Sequence, residues 1–467
     1  MVWCNFLHIY QPANQIKEIF DKVVSECYRP LFKSLIDNPE AKVTININAA
    51  LTERLIEYPE VLNDLIKAAN NRQIEFTDSA KYHTLLPFLP EDEIERQINL
   101  NRETNKRIIG EAYNPIGFFP PEMAYSNKLS RILERMGYKW VIIDEIALNG
   151  KLNQLNKSVS YKIKGTNLNV FFRERGPSNL IMSAMVRHKE DLKYDETKGY
   201  MVTGMDGETF GHHRPGLQTL LTELLTSTEF EHAFFSELPK LFPATETVTP
   251  VVSTWASSQK DIEDGIQFIS WNDPNNAIHK LQWELQNLVL KSPNANREKL
   301  DMGLASDQFF WASAKPWWSL EQIELGAWTL LDAARSEKAY DLYLRIIATA
   351  FEWQRSGKVR ELSHEMKETA RIPFKDKTEK EPWIYNAFID MMKGEMKKAA
   401  EKENYEEALL WRDAIWKLET KNDIFDAVHA IDLLRRQIPD TTIREILDKY
   451  TADYKNLVSG QPEQRAI

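Results

Sequence analysis

The first half of the chain repeats one alternation. A short apolar run of strand type is followed by Gly, Pro or reactive side chains, and then by a stretch with helical spacing. The runs are Val2–Ile9, Lys42–Asn48, Gln73–Thr77, Pro115–Phe119, Trp140–Ile143, Leu168–Phe172, Tyr200–Gly204 and a last one over Thr247–Ser253. The helical stretches cover residues 16–38, Leu51–Ala69 (in two pieces around Pro59), Glu91–Ile109 and Leu129–Met136. Strands separated by helices cannot be joined by tight hairpins, so they lie parallel and the class is α/β. Seven or eight such strands predict a closed or nearly closed barrel. An open doubly wound sheet is disfavoured, because no glycine-rich dinucleotide fingerprint follows the first strand.

Reactive side chains recur at the C-terminal ends of these runs: His8 and Gln11, His83, Glu122, Asp144 and Asp206. A (β/α) barrel assembles its active site at that end. The densest case is Tyr200-Met-Val-Thr-Gly-Met-Asp-Gly-Glu-Thr-Phe-Gly-His-His213. It begins as a strand and ends in three Gly interleaved with Asp206, Glu208, His212 and His213. Glycine permits close backbone approach, and four ionisable groups so close together need partners or a task. An acidic Gly-rich turn is the bland alternative; an active-site loop is the reading adopted.

From about residue 275 the texture changes. Asn276–Leu290, Leu320–Arg335, Ala339–Gln354, Trp383–Lys402, Tyr405–Leu418, Asn422–Leu434 and Ile443–Tyr454 have helical spacing, and strand-type runs cease. Two domains are therefore expected, a barrel over 1–275 and a helical domain over 276–467. Lys375–Pro382 reads as a solvated charged loop.

The net charge of −10 argues against a nucleic-acid partner, which needs a basic face. No apolar run reaches membrane-spanning length, and the N-terminus has no basic region ahead of an apolar one, so no membrane or secretion signal is expected. Two Cys, Cys4 and Cys27, cannot build a disulfide framework or a thiolate metal site; a reducing cytoplasm is the expected compartment.

Glu122 and Asp206 stand out among the acids. Each follows a strand, and Glu122 is presented stiffly by Pro120 and Pro121. Glycosidic cleavage needs two such groups, one to protonate the leaving oxygen and one to attack the anomeric carbon or activate water. A surface turn remains the competing reading of Glu122 taken alone. His8, His83, His212 and His213 raise the question of a metal, but no recognised ligand spacing is present, so neither metal nor cofactor is expected. Trp255, Trp271, Trp311, Trp317 and Trp318 are candidates to stack on sugar rings, with core packing as the alternative for each.

Taken together these residues resemble glycoside hydrolase family 57. The resemblance rests on His8-Ile-Tyr-Gln-Pro12, Tyr82-His83, Phe119-Pro-Pro-Glu122, Gly204–His213, Ser306-Asp307-Gln-Phe-Phe-Trp311 and the arginine segment Phe172–Ser178, in that family's order apart from the last. It implies an incomplete (β/α)7 barrel and a helical domain that completes the cleft. It implies a retaining glycosidase with Glu122 as nucleophile and Asp206 as acid/base, and no metal. The implied substrates are α-glucans and maltooligosaccharides, held by His8, Gln11, His83, Asp144, Arg175, His213, Asp307 and the Trp residues, Pro316-Trp317-Trp318 being the most loop-like. A 4-α-glucanotransferase or branching enzyme would use the same two carboxylates. A metal-dependent deacetylase and a non-catalytic glucan-binding protein are the readings from other classes. Tyr10 and Phe119 depart from the family, which more often has His and Trp there, and this bears on substrate preference. On burial and on the charge of Glu122, Asp206 should have a raised pKa.

Overall fold

The structure is a computed structural model. It describes residues 1–182, 186, 188–192, 199–315, 317–369 and 382–420. Pro316 and the helices expected at Asn422–Leu434 and Ile443–Tyr454 lie outside the described residues, as does nearly all of the charged loop Lys375–Pro382. The chain divides into two compact units, one of residues 1–213 and 217–361 and one of 214–216 and 362–467. The division near residue 361 falls later than the 275/276 boundary expected from sequence texture.

Ten described strands form one sheet: β1 (Val2–Ile9), β2 (Val43–Ile47), β3 (Ile74–Asp78), β4 (Gly117–Phe118), β5 (Trp140–Asp144), β6 (Ser160–Ile163), β7 (Asn169–Arg173), β8 (Tyr200–Asp206), β9 (Glu231–His232) and β10 (Thr245–Val248). The order is β10-β6-β7-β5-β4-β3-β2-β1-β8, with β9 also on β1. The seven strands from β7 to β8 along this path are parallel throughout. They form a barrel whose end strands β7 and β8 meet without pairing as a ladder, an incomplete (β/α)7 barrel with helices around it. Sequence reading missed β6, which pairs antiparallel with β7. It is short and carries Ser160 and Lys162, so it lacks the apolar run that marked the others.

Strand parity explains where the chemistry goes. Successive residues of a strand face opposite sides. In β1 the even positions Val2, Cys4 and Phe6 join an interior cluster with Phe119, Met123, Trp140, Ile142, Phe171, Tyr200 and Val202. The odd positions Trp3, Leu7 and Ile9 pack outward on the helices of residues 17–70 and 217–225. Continuing the even series brings His8 to the inner face at the strand's C-terminal end. The same parity takes β5 through Trp140 and Ile142 to Asp144, β7 through Phe171 to Arg173, and β8 through Tyr200 and Val202 to Asp206.

The helices Ala277–Leu290, Leu320–Ala333 and Glu337–Ser356 bury Ile278, Leu285, Ile323, Leu330, Leu342 and Ile346 in a core shared with Val141, Ile143, Val170 and Phe172. They therefore belong with the sheet in the first unit. In the second unit the helices Pro382–Glu401 and Tyr405–Thr420 pack on each other and bury Met392, Ala399, Trp411 and Ala414.

Candidate active site

Glu122 leaves β4 through Pro120 and Pro121 with φ 61°, and His83 has φ 54°. Non-glycine residues in the left-handed region are uncommon and cluster at functional sites. Both are pinned by backbone bonds from the loops packed on them: Trp255 N–H donates to Glu122 O (3.2 Å) and Ser306 N–H donates to His83 O (3.1 Å). The Glu122 carboxylate, 13% exposed, accepts from Trp255 Nε1 (2.8 Å) and from Ser306 Oγ (3.4 Å). His83 Nδ1 lies 3.7 Å from Glu122 Oε1.

Asp206 sits across the site, paired in register with His8. The loop after it is held from below. Gly207 has no room for a Cβ, which would fall 2.4 Å from Ile9 Cγ2; Gly211, at φ +121°, would clash with the Glu26 carbonyl. That carbonyl belongs to a π-helical turn, Val24–Tyr28, which interrupts the helix expected over 16–38. The turn presents three consecutive residues to the loop. Glu26 pairs with His212 (2.8 Å), Cys27 Sγ donates to Gly207 O (3.2 Å), and Tyr28 OH donates to Glu208. Glu208 also accepts from Tyr10 N–H (3.0 Å). Glu208 therefore fixes the loop.

Burial pushes Glu122 up to about 8; the charge of Asp206 adds to this and the Trp255 donor opposes it. Burial pushes Asp206 up to about 6, with the Arg173 guanidinium opposing. The pair thus shares one proton near neutrality. Burial alone ranks Glu122 as its holder, whereas hydrogen bonding ranks Asp206. Glu122 accepts from two direct donors, which stabilise its anion, and Asp206 accepts from none among the described residues. Once Asp206 is neutral, the repulsion that raises Glu122 disappears. We therefore place the proton on Asp206, which makes Glu122 the ionised partner.

The wall beside the pair is aromatic and polar. His8 stacks on His83 (5.0 Å, 19°), and Tyr10 stacks on His83 (4.4 Å, 16°). His8 Nδ1 bonds Asn46 Oδ1 (2.7 Å), and burial lowers His8 to about 4, so its ring is neutral. Tyr10 OH donates to Asp307 Oδ2 (2.9 Å), and burial raises Asp307. Asn46, Ser306 and the Tyr10–Asp307 bond were not foreseen. Asn46 could have been, since it is the polar residue of β2 nearest the strand's C-terminal end.

The structure thus brings Glu122, Asp206, His8, His83, Trp255 and Asp307 together and gives the other candidates different partners. Both Asp144 oxygens are taken, one by Arg173 Nη1 (2.9 Å) and one by Arg175 Nε (2.7 Å) together with Ile146 N–H (3.0 Å), so Asp144 and Arg175 form a buried ion network. Gln11 is buried and accepts from Gln15 (3.1 Å). His213 is exposed, its ring 5.4 Å from that of His212. Trp271 is 1% exposed in a cluster with Leu85, Ala124 and Phe309, a core residue and not a sugar platform. Trp311 and Trp317 pack on Phe310 and on each other, partly exposed. Trp318 stacks on Trp353 (6.3 Å).

Among the described residues, one set of side chains could close on a metal: His188, Glu190 and Glu223. It includes neither catalytic candidate. Asp206, His8 and His83 do not come close enough together, among the described residues, to form an Asp/His/His triad of the deacetylase kind.

The profile of glycosyl hydrolase family 57 matches residues 3–252, and that of the UvrB/uvrC motif matches residues 388–421 in the second unit. An alpha-amylase of Pyrococcus horikoshii is 27% identical over 143 residues, 30% of this chain and 22% of that protein. A 4-alpha-glucanotransferase of Thermococcus litoralis is 22% identical over 289 residues, 56% of this chain and 43% of that protein. The chain thus spans less than half the length of these curated relatives. Among solved structures, the Thermococcus litoralis 4-alpha-glucanotransferase superposes with TM-score 0.56 at 18% identity, covering 72% of this chain and 60% of that one. A GH57 branching enzyme of Thermococcus kodakaraensis does so with TM-score 0.56 at 16% identity, covering 78% and 94%. These superpositions establish the fold.

Proposed function

The chain belongs to glycosyl hydrolase family 57, and from that premise we propose that it is a retaining α-glucan hydrolase in which Glu122 is the nucleophile and Asp206 the acid/base. Its substrates in this reading are starch, glycogen, maltooligosaccharides or pullulan. A Glu122 carboxylate oxygen attacks the anomeric carbon as the glycosidic C–O bond breaks, and Asp206 gives its proton to the leaving oxygen. Water then attacks the same carbon, Asp206 takes a proton from it, and the Glu122 ester bond breaks. The observation that carries this reading is the unequal support of the two buried carboxyls. Donors on Glu122 favour an anion before the attack; their absence on Asp206 leaves an acid free to donate. Trp255 and Ser306 would hold the Glu122 carboxylate in place. His8, His83 and Asp307 would hold sugar hydroxyls, and Trp311 with Trp317 would offer a stacking surface.

A second reading uses the same covalent intermediate and passes the sugar to another glucan instead of water. It is favoured by the long match to a 4-alpha-glucanotransferase. The catalytic role belongs to the first compact unit in either case. A cytoplasmic setting is part of the proposal, in keeping with Cys4 and Cys27 being free buried thiols; among the described residues no helix is long and apolar enough to cross a membrane.

The test is product analysis on maltooligosaccharides and pullulan, with Glu122→Gln and Asp206→Asn beside the wild type. New reducing ends from the wild type alone support the hydrolase. Redistributed chain lengths without new reducing ends favour the transferase. Activity persisting in both variants would remove the two carboxylates from the mechanism.

A further inference from the structure

Among the described residues, Ser306 is the one side chain that bonds both a site histidine and the proposed nucleophile. Its Oγ lies 3.0 Å from His83 Nδ1 and 3.4 Å from Glu122 Oε1. A hydroxyl carries one proton, so it cannot donate to both. If His83 carries its proton on Nδ1, that N–H donates to Ser306 Oγ and the hydroxyl proton goes to Glu122. If His83 carries it on Nε2, Ser306 must donate to Nδ1 and Glu122 loses a donor.

The surroundings favour the first arrangement. Glu122 Oε1, at 3.7 Å from His83 Nδ1, attracts a proton to that side. His83 is 4% exposed and held neutral by burial, so it has one proton to place. Its other nitrogen, Nε2, is buried and has no protein partner among the described residues. A bare Nε2 lone pair is then an acceptor of the kind a sugar hydroxyl satisfies.

We propose that Ser306 is a positioning residue that couples His83 to Glu122: it fixes the imidazole as the Nδ1–H tautomer, aims Nε2 as an acceptor at a substrate hydroxyl, and holds the nucleophile as an anion. The inference rests on the function proposed above. It adds a requirement: the ionic state of Glu122 and the hydrogen-bonding sense of the histidine that reads the sugar are set together. Attack converts Glu122 to a neutral ester and removes the charge that fixed the tautomer. The groups facing Glu122 are Asp206 from β8, Ser306 and Asp307 from the start of the short helix Asp307–Phe310, His83 from the loop after β3, Tyr10 from the end of β1, and Trp255, against which His8 packs. Ser306→Ala removes one of these contacts while keeping the backbone bond of residue 306 to His83 O.

Three measurements test this. With Ser306→Ala, kcat/KM should fall roughly ten- to hundredfold, as for loss of a hydrogen bond to a charged group. The acid limb of its pH profile should move up by about one unit, because the Glu122 anion has lost a donor. Ser306→Thr, which keeps the hydroxyl, should restore the limb. Nitrogen NMR of histidine-labelled wild-type protein should show His83 with the proton on Nδ1. An unmoved limb in Ser306→Ala, or a wild-type His83 protonated on Nε2, overturns the proposal, and the second result stands even if the alanine variant does not fold. Glu122→Gln separates the two levels. If it stays active, the functional reading fails. If it is inactive while Ser306→Ala behaves as wild type, the relay alone fails.

Discussion

Asp78 and Glu122 come from neighbouring strands, one at the end of β3 and one just past β4; Asp78 is fully buried and Glu122 nearly so. Asp78 is saturated: it accepts from Asn101 (2.8 Å), Arg102 (3.0 Å), Tyr113 (3.2 Å), Tyr138 (2.5 Å) and Ser79 N–H (3.0 Å). Glu122 accepts from two. Parity accounts for Asp78. Asp78 falls on the outward series with Ile74 and Phe76, where the helix Glu91–Ile109 supplies Asn101 and Arg102. Asp144 faces inward yet is saturated by Arg173 and Arg175. The contrast separates carboxylates that hold the fold together from those left with capacity for a reaction, a distinction that position at a strand end does not make.

The sharpest way to break this comparison is a pair of isosteric amides. Glu122→Gln should lower kcat/KM by roughly 10⁴-fold with no loss of thermal stability, since it relieves a buried acid. Asp78→Asn should do the opposite. It leaves Arg102 without its counter-charge and should cost about 3–5 kcal/mol in urea unfolding, while the folded fraction keeps activity within about tenfold. Equal effects of the two on activity would erase the distinction.

The pH dependence sharpens it further. With the pair titrating near 6 and 8, kcat/KM should rise through about 6 as the pair loses its first proton and fall above about 8 as it loses its second. A plateau extending below pH 5 would contradict the buried pair.

The smallest effect concerns Glu75, an inward residue of β3 far from the strand's C-terminal end. Burial raises it to about 7, against donors from Ser236 and Thr44. A folded-state pKa above the unfolded one means that the native state holds the proton longer, so stability is full below about 4.5 and declines as pH rises through 7. Glu75→Gln should therefore stabilise the protein at pH 8 by on the order of 1–3 kcal/mol relative to its effect at pH 4.5. Equal effects at both pH values would show that the carboxyl is not buried as an acid.

The alternation of apolar runs with helices was enough to read the parallel strands and the helix Glu91–Ile109, because each of those strands is inner and each helix amphipathic. It could not reveal β6, which is too polar, or the π turn at Val24–Tyr28, which leaves no mark in residue spacing. Glu122 and Asp206 stood out as candidates because Pro and Gly flank them. Trp271 and Asp144 were over-read, since sequence does not show whether a Trp is enclosed or whether two Arg already occupy an Asp. Nothing in the last helices suggested a motif, although the UvrB/uvrC profile covers residues 388–421.

The parity that carries Asp206 inward also makes the site digital in one respect. Substitution at Met201, Thr203 or Met205 changes one outward contact and leaves the inner column alone. An insertion or deletion of a single residue between Tyr200 and Asp206 would exchange the columns, burying the acid against the outer helices and turning Met205 toward Glu122. Within β8 the chain can drift by replacement, but its length is a fixed quantity.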